Sequence, residues 1–584
     1  MRDLAAEAKA QYKELIKRAA EAAVSAGELP EGELPEGELP EFIIEVPADS
    51  KNGDLASNAA MVSARAFRKA PRQIAEAIAA HLELEGSYFE RAEVAGPGFL
   101  NVFYAPHWYS EAVNAAVSEG DDYGKSDGGH GEKVMVEFVS ANPTGPMHMG
   151  NARGGAIGDG LAEVLSWCGY DVTREFYVND AGNQIAKFGK SLEARYLQLY
   201  LGEDAVEFPE DGYHGEDIKV RAKEFADING DKYVNADSEE RRQALIDYAL
   251  PANVEGLERD LHTYRIDYDV WFRESSLYND GSIDEIVKIL TDKGLTYEKE
   301  GALWYKNAEV LTEMLKAEGK TDKQIEALEL KDDVLIRQNG NPTYFAGDIA
   351  YHYNKFAKRG FDRVINVWGA DHHGHVARLK GAMNALGLDG GKLDVVLMQL
   401  VELMRDGKPV RMSKRTGKAI TLTDLLEEVP IDAARFFFNM REPNTHLIFD
   451  LDLAVEQSSQ NPVYYVQYAH ARICSILKSL AAENITPASE IPAGVLKEPE
   501  ELALVSCIAA FPGEMKEAAR LYDPAHITKY AVDVASAFHK FYNACRCRCE
   551  DEQLMQARIA LCLAAKTAIK NVLTVLNITV PESM

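Results

Sequence analysis

The spacing of apolar side chains changes from one part of the chain to the next. Residues 1–26 show helical spacing in a segment rich in Ala, Glu and Lys, and residues 42–105 alternate between strand and helix patterns. From Asp432 onward the pattern is helical almost throughout, including one long run from Ala531 to Leu576. The pattern therefore predicts an N-terminal α+β region and a C-terminal all-α helical bundle.

The central region begins with a different pattern. An apolar strand from Lys133 to Val139 is followed by a glycine- and proline-rich loop and then by a helix from about Asn151 to Cys168. Strand, loop and helix in this order form the first unit of an α/β sheet. A second apolar strand runs from Arg363 to Trp368, and the polar, acidic residues 202–262 between the two strands predict a helical insertion.

Two polar segments separate these regions. The pentapeptide Gly-Glu-Leu-Pro-Glu occurs three times in tandem from Gly27 to Glu41, and its prolines exclude helices and sheet ladders, so we expect an exposed acidic loop. A neutral variation in loop length explains this repeat better than a binding role does. The glycine-rich stretch from Asp121 to Gly131 is a candidate linker.

Composition narrows the class of protein. The chain has 584 residues, of which 46% are hydrophobic and 27% charged, so a disordered or fibrous protein is excluded. No apolar run reaches the roughly 18 residues that a membrane span needs, and the N-terminus lacks the apolar core of a signal peptide. We therefore expect no membrane partner and a cytoplasmic location, where the seven cysteines stay reduced.

Charge is distributed unevenly. The net charge of −30 argues against a protein that coats nucleic acid. Residues 432–584, however, hold 14 basic and 18 acidic side chains, a net charge of only −4. A basic face in this region is compatible with the acidic total.

The first candidate site is Pro146-Met-His-Met-Gly-Asn151, between the first strand and its helix. A helix N-terminus offers free N–H groups and a partial positive charge, which suit a phosphate. Gly150 would allow close approach of a ligand, and His148 and Asn151 could both face one polyphosphate, with His148 donating to an oxygen that gains charge. The alternative is a capped helix with a surface histidine.

The second candidate site is the segment from Val410 to Lys418, which holds four cations within eight residues. A cationic loop of this kind suits a triphosphate whose charge redistributes during a reaction. A solvated basic surface loop is the alternative.

The third candidate site is Gly369-Ala-Asp-His-His-Gly-His375, which follows a strand. Ligands of open α/β sheets lie beyond the carboxyl ends of strands, so a nucleoside would fit here. A divalent-metal site at Asp371, His372 and His373, and a strand end with satisfied polar groups, remain open.

Other fingerprints are weak or missing. Neither the dinucleotide pattern nor the P-loop pattern occurs. Cys545, Cys547 and Cys549 fall in a helical pattern without a CxxC pair, so core or surface cysteines are favoured over a zinc site.

Together and in this order, the motifs resemble class I aminoacyl-tRNA synthetases, and specifically the arginyl-tRNA synthetase family. His148–Asn151 is similar to the HIGH signature and Arg411–Arg415 to the KMSKS loop. Asn151, Arg411 and Arg415 depart from those signatures but keep a donor or a positive charge. Further segments with this resemblance are 1–115, Val136–Gln184, Asn341–Phe356, Asp432–Arg441 and Asn461–Ser475.

The resemblance implies a three-part architecture. It comprises an N-terminal additional domain that contacts tRNA (1–115), a Rossmann-like parallel-sheet catalytic domain (116–431) with an insertion near 190–330, and a helical anticodon-binding domain (432–584). It also implies a monomer that activates L-arginine with ATP and Mg²⁺, holds no structural metal, and transfers the arginyl group to the terminal adenosine of tRNA(Arg). In this family the first step is expected to need bound tRNA.

The resemblance also implies roles for individual residues. The catalytic residues would be His148, Asn151 and Lys414. ATP would be bound by His148, Gly150, Asn151, Gly369, Asp371, His372, Met412, Ser413 and Lys414. Arginine would be bound by Glu137, Ser140, Asn142, His148, Tyr344, Asp348 and Asp371, with Asn142 on the α-amino group. A guanidinium has five donors and no acceptor, so carboxylates such as Glu137 and Asp348 suit it.

Three other functions compete with this interpretation. They are a metal-dependent phosphoesterase built on Asp371, His372 and His373, a non-catalytic tRNA-binding paralogue, and a small-molecule nucleotidyltransferase. The first lacks further Asp ligands, the second would be expected to lose His148 or Lys414, and the third leaves the helical C-terminal region without a role.

Overall fold

A computed structural model describes residues 2–31, 39–410, 420–488 and 490–584. The N-terminal region is an α+β unit whose four strands form an antiparallel sheet in the order β1-β2-β4-β3. Its elements are α1 (Leu4–Ser25), β1 (Ile44–Glu45), β2 (Leu55–Ser57), α2 (Ala59–Val62), α3 (Ala64–Phe67), α4 (Pro71–Ala80), β3 (Phe89–Ala95), β4 (Phe99–Tyr104) and α5 (Pro106–Glu119).

The central region is built on a five-stranded sheet in which all strands are parallel. Its strands and their flanking helices are β5 (Lys133–Glu137), α6 (Gly150–Trp167), β6 (Asp171–Val178), α7 (Gly182–Leu201), α8 (Glu216–Asn229), α9 (Ser238–Thr263), β7 (Val270–Arg273), α10 (Glu274–Asn279) and α11 (Ser282–Asp292). Then follow β8 (Thr296–Lys299), β9 (Ala302–Tyr305), α12 (Asn307–Ala317), α13 (Asp322–Glu326), β10 (Asp333–Ile336), α14 (Tyr344–Tyr353), β11 (Arg363–Gly369), α15 (His373–Leu386) and β12 (Leu393–Met398).

The spatial order of this sheet is β7-β6-β5-β11-β12. Counted along the chain, that is the order 3-2-1-4-5 of doubly wound nucleotide-binding sheets. Such sheets bind ligands where the connections diverge, which here is the carboxyl edge between β5 and β11. The Rossmann-like prediction is therefore confirmed.

The last part of the chain is mostly helical. It contains β13 (Val401–Arg405), β14 (Lys408–Val410), α16 (Leu422–Glu428), α17 (Ile431–Phe438), β15 (Leu447–Asp450), α18 (Leu451–Val455), α19 (Pro462–Ala482), α20 (Pro499–Ala509), α21 (Phe511–Leu521), α22 (Ala525–Ala544) and α23 (Glu552–Val575). Strands β8–β10 and β13–β15 form two small sheets of their own.

Three details differ from the sequence predictions. Leu29, within the tandem repeat, is 1% exposed and packs in the core, so the repeat is not exposed throughout; residues 32–38 lie outside the described part. Leu447–Asp450 forms a strand inside the region expected to be helical, because it pairs with β13. Cys545–Cys549 lies between α22 and α23 rather than in one continuous helix.

A buried ion-pair network connects helix α6 to the C-terminal helices. Arg435 of α17 is fully buried and contacts Asp159 of α6, whose other oxygen accepts from Arg174 at 3.2 Å. Arg435 also donates to the carbonyl oxygens of Tyr264 at 3.0 Å and Leu576 at 2.9 Å. The network therefore joins the central sheet, the end of α9 and the end of α23.

Candidate active site

His148 lies in the loop between β5 and α6, with its side chain exposed. Its Nδ1 accepts a hydrogen bond from the backbone N–H of Gly150 at 3.1 Å. A neutral imidazole with Nδ1 as acceptor carries its proton on Nε2. Nε2–H is thereby available to donate to a phosphate oxygen.

The start of α6 differs in one respect from the sequence prediction. The N–H groups of Gly150, Asn151 and Ala152 all have partners in the chain: His148 Nδ1, the His148 carbonyl and the Met149 carbonyl. These N–H groups are not free for a phosphate, so the attraction must come from side chains and the helix dipole. A Cβ at Gly150 would meet only His148, at 3.3 Å, which leaves room for a ligand.

The segment after the cationic loop returns beside His148. Met149 N–H donates to the carbonyl of Ile420 at 3.0 Å, and Leu422 N–H donates to the carbonyl of Met147 at 2.9 Å. His148 and Thr421 are consequently paired as a β-bridge. Residues 411–419, which include Met412, Ser413 and Lys414, lie outside the described residues.

The turn after β11 faces the same edge of the sheet. Gly369 ends β11, Asp371 and His372 are exposed, and His373 begins α15. The His372 ring lies 5.8 Å from the Trp368 ring. This turn places polar groups beside a flat aromatic side chain, which suits a nucleoside.

Acidic side chains come together where α10 packs against α14, and we call this group the acidic pocket. Tyr344 and Asp348 are on α14, and Glu274 begins α10 with only 2% of its surface exposed. Gly347 of α14 lies against α10: a Cβ there would be 3.9 Å from Glu274 Oε1. Asp348 accepts from His375 Nε2 at 3.0 Å. Two carboxylates thus approach each other across the two helices.

Glu274 is the most perturbed carboxyl group in this pocket. Burial, together with the charges of Asp348 and Asp180, raises its pKa to about 7, although the hydrogen bond from Tyr278 at 3.0 Å acts in the opposite direction. An incoming cation would favour the ionised form. A buried Glu274 beside a half-buried Asp348 suits a guanidinium.

Two amides line the pocket beside Glu274. The Asn179 amide lies 2.7 Å from Glu274 Oε2 and 3.2 Å from the Asn142 side chain. Tyr344 packs over Gly182, where a Cβ would lie 3.4 Å from the tyrosine hydroxyl. The loops after β5 and β6 and the helix α14 therefore lie close together here.

Glu137 occupies a buried polar layer on the sheet. It pairs in register with Asn366 of β11 and Glu175 of β6. Its Oε2 contacts Lys355 Nζ at 2.5 Å, and its Oε1 accepts from Ser140 at 3.0 Å. Both carboxylate oxygens of Glu137 thus have partners within the chain.

The backbone after β5 is strained. Val139 and Ser140 have φ angles of 69° and 46°, in the left-handed region that non-glycine residues seldom occupy. This conformation turns the Ser140 hydroxyl back onto Glu137, where it also accepts from the Tyr177 N–H at 3.1 Å. Strain of this kind persists where the surrounding structure fixes it, often at functional sites.

The sequence reasoning missed three residues of this region. Glu274 follows the apolar residues of β7, and a carboxylate at a strand's carboxyl end was a usable signal. His375 and Lys355 both fell inside quoted motifs but received no role. Lys355 sits in a π-helical turn, Asn354–Lys358, which no sequence pattern indicated.

A second candidate surface lies on the C-terminal helices. A groove of about 970 Å³ is bordered by α19, α22 and the segment that follows α22. The Arg472 guanidinium lies 4.6 Å from the Tyr468 ring and 4.9 Å from the Tyr542 ring. Arg546 and Arg548 also line the groove, and Arg548 is paired there with Glu483 at 2.7 Å. The acidic chain therefore presents a basic, aromatic face, the combination that suits single-stranded nucleic acid.

The described residues offer neither a membrane-spanning helix nor a metal-binding cluster. No helix there combines the length and apolarity needed to cross a bilayer. No group of three His, Cys, Asp or Glu side chains in the described ranges is arranged to hold a metal ion.

Comparison with protein families matches three models along the chain. "Arginyl tRNA synthetase N terminal domain" matches residues 10–104, "tRNA synthetases class I (R), catalytic domain" matches 112–473, and "DALR anticodon binding domain" matches 466–584. The catalytic model alone covers more than half of the chain.

Individual relatives agree with these matches. Arginine–tRNA ligases from Caldanaerobacter subterraneus subsp. tengcongensis and Acetivibrio thermocellus are 55% and 53% identical, over 100% and 99% of both chains. An arginyl-tRNA synthetase structure from Campylobacter jejuni is 32% identical with a TM-score of 0.71, covering 82% of this chain and 100% of its own. The Thermus thermophilus enzyme, 21% identical over 97% of this chain and 99% of its own, has the same fold with a TM-score of 0.71.

Proposed function

The chain belongs to the class I arginyl-tRNA synthetases and is an arginine–tRNA ligase, and we propose that its reaction takes place at the carboxyl edge between β5 and β11. The ligase activates arginine with ATP and transfers it to tRNA(Arg). Of the function classes that the sequence left open, the synthetase is therefore the correct one. The assignment of individual residues below is our proposal.

One observation carries the placement of the site. The chain leaves the described part at Val410, after β14, and re-enters at Ile420, hydrogen-bonded next to His148. This position of Ile420 supports our proposal that the two phosphate-handling motifs act on the same nucleotide. We assign the triphosphate to His148, Gly150, Asn151, Met412, Ser413 and Lys414, and the nucleoside to Gly369, Asp371 and His372.

The negative charge that develops on the phosphates during the reaction explains the roles that we propose for His148 and Lys414. When the arginine carboxylate attacks the α-phosphate, the departing pyrophosphate gains negative charge. The Nε2–H of His148 and the ammonium of Lys414 would stabilise this developing charge, and therefore bind more strongly in the transition state than in the ground state. Mg²⁺ would arrive with ATP and shield its phosphates.

The acidic pocket would select the guanidinium. Asp348 and Glu274 supply carboxylates on two sides, and Tyr344 lies at the entrance with 42% of its surface exposed. A neutral substrate would leave two nearby carboxylates unpaired, and lysine lacks the planar fork that a guanidinium presents. The pocket therefore discriminates by charge and by geometry.

The remaining predicted ligands would hold the other end of arginine. Asn142 would bind the α-amino group, and Ser140, His148 and Asp371 lie at the edge where the carboxylate meets ATP. Since Lys355 neutralises Glu137, we propose that Glu137 acts mainly by fixing Ser140 and the strained turn beside it.

Transfer RNA would contact two further regions. We assign the anticodon loop to the groove around Arg472, Tyr468 and Tyr542, and a further tRNA contact to residues 1–115. We also propose three domains, at 1–115, 116–431 and 432–584, with an insertion near 190–330 in the second. We further propose that the protein is a monomer and is located in the cytoplasm.

Pyrophosphate exchange with each standard amino acid, with and without tRNA(Arg), tests this proposal. We expect exchange with arginine alone, and only when tRNA is present. Exchange with lysine at a comparable rate would contradict the proposed pocket. Exchange without tRNA would contradict the expected dependence on tRNA.

Replacing Asp348 by Asn tests the pocket directly. The change removes one carboxylate facing the guanidinium but keeps the side chain's size, so we expect arginine affinity to fall by about 100-fold, since a hydrogen bond to a charged group contributes about 1.5–3 kcal/mol. Calorimetric titration with arginine measures this. Unchanged affinity would remove Asp348 from the pocket.

A further inference from the structure

Two cysteine thiols meet beside the basic groove. Cys547 lies in the segment between α22 and α23, and Cys562 lies on α23. Their sulfur atoms are 3.6 Å apart, and neither cysteine is in a disulfide. Cys562 is fully buried, whereas Cys547 is 9% exposed and lines the groove. Only one of the two sulfurs therefore faces a route from solvent.

The segment that carries Cys547 is held against α23 on its other side. Arg558, one turn before Cys562 on α23, donates to the carbonyl oxygen of Arg546 at 2.8 Å. The same guanidinium donates to the buried Glu501 at 2.7 Å. These bonds fix the backbone next to Cys547 and keep the two sulfurs together.

The other cysteines have different surroundings. The thiol of Cys168 donates to the Met515 carbonyl, Cys474 contacts His470, and Cys549 donates to the Asp551 carbonyl. Hydrogen bonding from the Cys562 thiol lowers the pKa of Cys547, while burial and the neighbouring sulfur raise the pKa of Cys562. The two thiols therefore differ in reactivity. Cys547 is suited to attack an oxidant first, and Cys562 is suited to react with the oxidised Cys547.

We propose that Cys547 and Cys562 form a peroxide-sensitive dithiol, and that its oxidation to a disulfide weakens tRNA binding in the adjacent groove. The thiolate of Cys547 attacks one oxygen of hydrogen peroxide, the O–O bond breaks, and hydroxide leaves with a sulfenic acid on Cys547. The sulfur of Cys562 then attacks the sulfenic sulfur and water leaves. In total, two thiols and one peroxide give one disulfide and two waters.

Disulfide formation requires a change of structure, because the two sulfur atoms are 3.6 Å apart. A disulfide brings the sulfurs to about 2.05 Å, so they must approach by more than 1 Å. Both cysteines pack in the helical core, but Cys562 is on a helix and Cys547 is in the segment between two helices, so we expect that segment to shift. That segment also carries Arg546 and Arg548, both of which border the groove. The effect on tRNA rests on the proposed function of this groove; the disulfide itself does not.

Mass spectrometry of the full-length native protein tests the bond. After peroxide treatment and alkylation of free thiols, we expect a peptide pair linked through Cys547 and Cys562, two hydrogens lighter than the reduced peptides. In a Cys562→Ala variant, a sulfenic-acid probe should label Cys547 instead. A Cys549→Ser variant, the matched control, should form the bond as the wild type does. Absence of the linked pair from folded protein, or linkage through Cys545, would overturn the proposal.

Charging kinetics test the consequence. Oxidised enzyme should show a several-fold higher KM for tRNA, which dithiothreitol restores, and an unchanged KM for arginine. A Cys547→Ser variant should not respond to peroxide. A bond that forms without changing the KM for tRNA would overturn the regulatory part. Arg472→Ala, assayed on reduced enzyme, then shows separately whether the groove assignment has also failed.

Discussion

Glu274 is the side chain whose protonation we expect to control arginine affinity. Burial raises its pKa to about 7, so above that pH the carboxylate is ionised and attracts the guanidinium, and below it the group is neutral. Arginine affinity should therefore fall as pH decreases below about 7, by up to about tenfold per unit, because binding must release one proton. Calorimetry across neutral pH measures this dependence.

Replacing Glu274 by Gln separates this residue from other titrating groups. The variant should bind arginine about 100-fold more weakly at high pH, where a charge-assisted hydrogen bond is lost, and its affinity should no longer change near neutral pH. Glu309→Gln, at a distant exposed position on α12, is the matched control and should keep the wild-type profile. The same pH profile in both variants would show that another group titrates.

At this scale the sequence identifies residues with local signatures and misses those defined by distant contacts. His148 was found because its loop directly follows a strand. Lys355 was not, since its role depends on Glu137, which lies 218 positions away in the chain. Glu274 was missed for a similar reason, since its high pKa comes from burial and from Asp348 on another helix.

The cationic loop is the element whose role is most specific to the transition state. Lys414→Ala should lower kcat by about 100- to 1,000-fold, the usual cost of removing one preorganised electrostatic group, and change the KM for arginine far less. Steady-state charging assays measure both constants. Lys408→Ala, on the exposed strand β14 just before the loop, should leave them unchanged. A pure effect on KM would contradict the role proposed for Lys414.

Helix α19 presents the central cation of the proposed tRNA groove. Arg472 lies over two tyrosine rings, so Arg472→Ala removes a charge and a stacking partner together. We expect about a tenfold higher KM for tRNA, in line with the 1–3 kcal/mol that a stacked aromatic contact contributes. Lys478→Ala, an equally charged change on the exposed side of the same helix, is the control. Equal effects would indicate a non-specific loss of charge.

The sequence predicted elements well where periodicity decided them, and less well where packing did. Strands β5 and β11 were found from their apolar runs, but β15 appears only because β13 offers it a partner. The break between α22 and α23 was missed because Cys545 and Cys547 are buried, which continues the apolar pattern through a non-helical segment. The burial of Leu29 was also not predicted, because the proline after it indicates an exposed loop whereas its side chain packs in the core.

Across the whole molecule, Arg435 should be a main stabilising contact between the catalytic sheet and the C-terminal helices. Arg435→Met leaves Asp159 buried with Arg174 as its remaining cationic partner, and breaking a buried pair costs about 3–5 kcal/mol. Urea unfolding of the full chain should show this loss. The double variant Asp159→Asn, Arg435→Met should recover part of it. If the double variant lost as much free energy of unfolding as the two single variants together, Asp159 and Arg435 would not be directly coupled.

The order of strands in the central sheet has a consequence for how such a molecule can change. Strands β5 and β11 are neighbours in space, yet β6, β7 and the pocket-forming helices α10 and α14 lie between them in sequence. In the proposed site the nucleotide binds at these two neighbouring strands, whereas the arginine pocket is formed largely by the segment that separates them in sequence. Substitutions in that intervening segment, natural or engineered, can therefore change which amino acid is accepted while the ATP-binding residues stay in place.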